Sequence, residues 1–194
     1  MKILIAVPTF ENILPDTFKS IYNLDPAGHE LSFDFVRGYD CAKARNAIAQ
    51  NALDGNFDYV LMVDSDIVLP DQAIQWFAEK PDDIVFGVYP HRNSKDGEVE
   101  LFKLRIRDFK DRFKYSELKE DRMEVKGGGF GCAFVSADVF RKMEYPWFKY
   151  VAYSNGTFLS EDLYFCSEAR KHGFKIYADT RMRCGHFTRY IQWE

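Results

Sequence analysis

Two carboxylates separated by a single serine, Asp64-Ser65-Asp66, end the apolar run Val60-Leu61-Met62-Val63 and lead into Ile67-Val68-Leu69-Pro70. Four apolar residues in a row describe a strand buried on both faces. Carboxylates at the end of such a strand cost free energy unless a counter-charge meets them. At the carboxyl end of a core strand, where open α/β sheets collect their ligands, a divalent cation is one such partner. Asp and Ser are also ordinary turn and cap residues, so the tripeptide reads equally well as a structural turn.

Four further groups carry chemistry. Arg45 falls in the first turn of an Ala-rich helix, where a cation gains nothing from the helix dipole and an anionic ligand would suit it better. Ser160-Glu161-Asp162 places an N-cap before two acids, which the dipole alone would explain. Gly127-Gly128-Gly129-Phe130-Gly131 allows close backbone approach, but no Lys-Ser or Lys-Thr pair follows as in a phosphate loop. His186 follows Cys184-Gly185, and a lone histidine is more often structural than a ligand.

The elements that must position these residues follow from periodicity. Ile3 to Val7 is a continuous apolar run suited to a central parallel strand, and Pro8-Thr9-Phe10 ends it in a polar loop where a nucleotide often sits. A helix over 14–24, an alternating strand over 31–36 ending at Arg37-Gly38-Tyr39-Asp40, a helix from Lys43 to Leu53, a short helix over 71–79 and a buried strand over 84–89 follow. This alternation predicts a doubly wound α/β half-sheet. Residues 91–126 are charged and alternating, as in Glu98 to Arg107, and predict an antiparallel hairpin or edge ribbon. A strand over 132–135, a helix over 136–143, the aromatic cluster Tyr145-Pro146-Trp147-Phe148, a helix ending at His172-Gly173 and a strand over 175–178 complete the chain.

Composition sets limits on function. The 194 residues fit one domain with a sizeable core, and 46% apolar with 16% aromatic content is that of a globular chain. A net charge of −4 gives no support to nucleic-acid binding, which would need a basic face. Cys41, Cys132, Cys166 and Cys184 are too widely spaced for a zinc motif and read as reduced thiols. With no signal-peptide core and no apolar run of spanning length, the expectation is a cytoplasmic protein without membrane insertion.

In their order and spacing, Val7-Pro8-Thr9, Ala44-Arg45-Asn46, Asp64-Ser65-Asp66, Gly127 to Gly131, Ser160 to Phe165 and Cys184-Gly185-His186 resemble the GT-A fold glycosyltransferases, in their family-2-like, short stand-alone viral or bacterial forms. The resemblance implies a single GT-A (Rossmann-like) domain over 1–194, with a central, mostly parallel mixed sheet flanked by helices and a small antiparallel ribbon. Residues 1–90 would form its nucleotide-binding half and 91–194 its acceptor-binding and catalytic half. It implies transfer of a sugar from a nucleotide-diphosphate sugar, UDP by family habit, to a glycan or other hydroxyl acceptor with inversion. Mn2+ or Mg2+ would be held by Asp66 and His186, with Asp64 toward the ribose or acting through water. Pro8, Thr9, Arg37, Arg45, Asp64 and Ser65 would line the nucleotide pocket, and Asp162 of the Glu161-Asp162 pair would be the catalytic base. The acidic pair usual in the second strand of larger members is replaced here by Arg37-Gly38-Tyr39-Asp40. A sugar nucleotidyltransferase is the rival enzyme, but it would carry a Gly-rich basic loop where Pro8-Thr9-Phe10-Glu11 stands. A non-catalytic carbohydrate-binding protein is the rival outside enzymes, and it would be expected to have lost the acidic motifs.

Overall fold

A computed structural model describes residues 1–38, 40–92, 97–103 and 111–187. Tyr39 and the parts of the predicted ribbon over 93–96 and 104–110 lie outside the described residues. The first half alternates strand and helix: β1 (Lys2–Thr9), α1 (Pro15–Tyr22), β2 (Glu30–Arg37), α2 (Cys41–Asp54), β3 (Tyr59–Val63), β4 (Ile67–Val68), α3 (Ala73–Glu79) and β5 (Ile84–Val88). Next come β6 (Glu98–Phe102), β7 (Arg112–Lys114), β8 (Arg122–Val125), β9 (Gly127–Gly128) and β10 (Cys132–Ser136). The chain continues through α4 (Ala137–Lys142), β11 (Val151–Ala152), β12 (Phe158–Leu159), α5 (Glu161–Lys171), β13 (Ile176–Arg183) and β14 (Gly185–His186).

Seven strands form the central sheet in the order β2-β1-β3-β10-β5-β13-β8. The pairs β1–β2, β1–β3 and β5–β13 are parallel, while β10 runs antiparallel to both β3 and β5, and β8 antiparallel to β13. The sheet is therefore mixed. Its parallel β1–β3 part carries the carboxyl ends of β1, β2 and β3 to one rim. Of the predicted ribbon, β6 pairs antiparallel with β7 and with β9 just beyond it, whereas β8 joins the central sheet beside β13.

The elements form for local reasons. Pro15 opens α1 with a φ already suited to a helix, and the Asp40 side chain caps α2 by accepting from the amides of Ala42 (2.8 Å) and Lys43 (3.3 Å). The uninterrupted apolar runs of β1, β3, β5 and β10 reflect burial on both faces. One face packs against α1 and α3, where Phe77 stacks on Phe134 with ring centres 4.0 Å apart. The other packs against α2, α4 and α5, around Phe130, Phe148 and Phe165. No helix among the described residues is long and apolar enough to cross a membrane.

The glycine run has a structural use. Gly131 donates its N–H to the phenol oxygen of buried Tyr89 at 3.0 Å, and a Cβ there would lie 2.7 Å from the Tyr89 ring. What approaches the backbone closely here is a tyrosine of the protein itself. Gly131→Ala should therefore lower the free energy of unfolding by about 1–3 kcal/mol through overpacking. In a denaturation double-mutant cycle, that loss should shrink when Tyr89→Ala opens the space.

Candidate active site

Arg45 is 2% exposed, and its guanidinium reaches three groups. Nη2 donates to Asp64 Oδ1 at 2.8 Å, Nε to Glu161 Oε1 at 3.4 Å, and Nη1 to the carbonyl of Phe130 at 3.4 Å. A buried guanidinium must be matched by charge. Burial works against its charge, but the Asp64 and Glu161 carboxylates outweigh that and hold Arg45 protonated well above its ordinary range. The sequence sets Arg45 toward an anionic ligand; in the structure its anionic partners are Asp64 and Glu161. The guanidinium is committed to protein carboxylates because α2 carries it beneath the rim, where no solvent is present to compensate it. The following residue ties the same helix to the aromatic core: Asn46 donates to the Phe148 carbonyl at 2.7 Å and accepts from its amide at 3.1 Å.

Asp64 and Asp66 leave the end of β3 in different directions. Asp64 turns to Arg45, and its amide donates to the Gly131 carbonyl at 3.1 Å. Asp66 meets His186, with Oδ2 3.7 Å from Nε2. They meet because β4, just after Asp66, pairs antiparallel with β14, setting Ile67 opposite His186, while the Phe187 amide donates to the Asp66 carbonyl at 2.9 Å. The Nδ1–H of His186 donates to the Pro90 carbonyl at 2.7 Å. That bond fixes the tautomer and leaves the Nε2 lone pair directed at Asp66. Arg92, just past β5, completes the cluster: Nη2 pairs with Asp66 Oδ2 and Nε donates to His186 Nε2 at 3.2 Å.

A hard carboxylate oxygen and an imidazole lone pair converging in this way, with a positive group already drawn between them, suit a divalent cation. The donor set is a pair: among the described residues, no three His, Cys, Asp or Glu side chains gather as a metal cage. Ser65 contributes its carbonyl to the Leu14 amide at 3.0 Å, linking this loop to the start of α1.

At the start of α5, Glu161 is buried against Arg45, near the Cys41 thiol and the Tyr150 phenol. Asp162, partly buried beside it, accepts from the Ser160 hydroxyl and from the Leu163 amide at 2.7 Å. Its carboxyl is pushed up to about 7, first by burial and then by the Glu161 charge, against the opposing pull of the Ser160 hydroxyl, Arg45 and the Leu163 amide. On the other side of the rim, Thr9 pairs in register with Arg37, and Arg37 Nε donates to the Phe10 carbonyl at 3.4 Å. Pro8 and Thr9 therefore stand at the carboxyl end of β1, beside Arg37.

Comparison with solved structures gives this arrangement a context. The chain superposes on A197 from STIV with a TM-score of 0.67 at 20% identity, over 97% of this chain and 86% of that one. The chain has a GT-A type glycosyltransferase fold. GalNAc-T7, solved with UDP, GalNAc and Mn2+, matches this GT-A chain with a TM-score of 0.65 at 11% identity over its whole length. S. aureus TarS 1-349, solved with UDP-GlcNAc, matches with a TM-score of 0.58 at 14% identity over 99% of it. The chain spans 45% of the GalNAc-T7 structure and 60% of TarS 1-349. No protein-family model and no curated protein sequence matches it.

Sequence reasoning missed Arg92 and Tyr89, both at the end of β5. The available signal was position: residues that follow a central strand at the ligand rim are candidates whatever motif they lack. Replacing Arg45 with Met should cost about 3–5 kcal/mol in urea unfolding, because it leaves Asp64 and Glu161 facing each other without their shared counter-charge. Adding Glu161→Gln should recover part of that loss.

Proposed function

We propose that this chain is a glycosyltransferase that moves a sugar from a UDP-linked donor to a glycan or other hydroxyl acceptor, with inversion at the anomeric carbon. The observation that carries the reading is Asp162: a carboxyl beside the Arg45-centred cluster at the sheet rim, held near neutrality at about 7, where a general base works best. The UDP and UDP-GlcNAc recorded for GalNAc-T7 and TarS support the donor class.

In this reading the nucleotide lies over the ends of β1 and β2, against Pro8, Thr9 and Arg37, with Ser65 and Asp64 toward the ribose. Arg45 does not touch the donor and holds Asp64 in place for it. Asp66 Oδ2 and His186 Nε2 would hold Mn2+ or Mg2+, which would supply Lewis-acid stabilisation to the leaving diphosphate. Asp162 accepts the proton of the acceptor hydroxyl as that oxygen bonds to the anomeric carbon from one side. The bond to the diphosphate oxygen breaks on the other, through an oxocarbenium-like state. Glu161, engaged by Arg45, sustains the negative field that keeps Asp162 poised.

Asp162→Asn should reduce sugar transfer by roughly 10²–10⁴ while UDP binding by calorimetry stays near wild type. Transfer at the wild-type rate would remove Asp162 from the role. For the wild type, kcat/KM should rise with pH through about 7 and level off above it, because only the deprotonated carboxylate accepts the proton. A nucleotide-release assay with UDP-sugars separates an enzyme from a carbohydrate-binding protein on the same fold.

A further inference from the structure

The Asp66–His186 pair is already bridged by a cation of the chain. Arg92 places Nη2 on Asp66 Oδ2 and Nε 3.2 Å from His186 Nε2, the same two atoms that would serve as metal donors. The tripeptide Pro90-His91-Arg92 acts on the imidazole twice: the Pro90 carbonyl sets its tautomer from one side, and Arg92 covers the exposed lone pair from the other. The Arg92 side chain is 58% exposed, whereas those of Asp66 and His186 are 17% and 8% exposed. The bridge is thus built from two fixed, shielded acceptors and one solvent-facing donor that is free to leave.

We infer that Arg92 is an internal competitor for the divalent cation: its guanidinium neutralises the Asp66–His186 pair, and the metal binds by displacing it. Both cations require the Asp66 Oδ2 and His186 Nε2 lone pairs, so they exclude one another at those atoms. The exposed guanidinium contributes little stability of its own and is held chiefly by the unmatched carboxylate. Its removal therefore leaves the fold intact and the site electron-rich. This inference rests on the reading of Asp66 and His186 as the cation-holding pair.

The test is titration of the nucleotide-free protein with Mn2+, following the free ion by its electron paramagnetic resonance signal. Arg92→Ala should tighten Mn2+ binding by about two- to five-fold, the range expected for release of one partly exposed ion pair. Arg92→Lys, which keeps the charge but loses the planar fork that meets the two atoms with separate N–H groups, should fall between Arg92→Ala and wild type. Equal or weaker binding by Arg92→Ala, while His186→Ala abolishes binding, overturns the competition and leaves the metal pair standing. If His186→Ala leaves binding unchanged in both the wild-type and Arg92→Ala backgrounds, the metal pair itself falls and the inference with it. Thermal melts of each variant confirm that the protein titrated is folded.

Discussion

A buried positive charge with two negative partners governs this molecule. Arg45 lies under the sheet rim and joins three segments that are distant in sequence: α2, which carries it; the end of β3, which brings Asp64; and the start of α5, which brings Glu161. Each carboxylate would be costly there alone, and the guanidinium would be costly without them. The triad is therefore stable only when all three elements have docked. Its electrostatics also reach the neighbouring residue, since the Glu161 carboxylate is one cause of the raised Asp162 pKa while Arg45 opposes it.

The rest of the rim follows from how the strands end. Three parallel strands deliver their carboxyl termini side by side, and β10 fits between β3 and β5 in the opposite direction, so that the glycine run preceding it passes directly behind Asp64. Tyr89 fills the space those glycines leave, and its phenol accepts from Gly131, whose carbonyl in turn receives the Asp64 amide. The loop bearing the acidic motif is thus held by the backbone on one side and by a charged pair on the other.

Much of this was legible from sequence and some could not be. The strand before Asp64 and the helices flanking it followed from apolar runs and caps, because burial on both faces and N-capping are local properties. The discomfort of Arg45 near the start of a helix was also visible, but not its resolution: Glu161 is 116 residues away, and only the fold brings it there. An apolar run gives no strand direction, which is why the antiparallel insertion of β10 could not be read. The glycines announced a close approach without saying by what. The motif by itself did not show that the turn within it sends Asp64 to Arg45.

The junction that brings His186 to the rim has a consequence for how the chain can vary. The imidazole is delivered by a two-residue strand, β14, whose pairing with β4 sets which side chains face Asp66. Because alternate residues of a strand point to opposite faces, shifting this register by one would turn the imidazole away and present the bare backbone of Gly185 in its place. The segment between β13 and β14 is the single buried residue Cys184, and its length is fixed. An insertion or deletion of a single residue there would dismantle the site while leaving every functional side chain in the sequence.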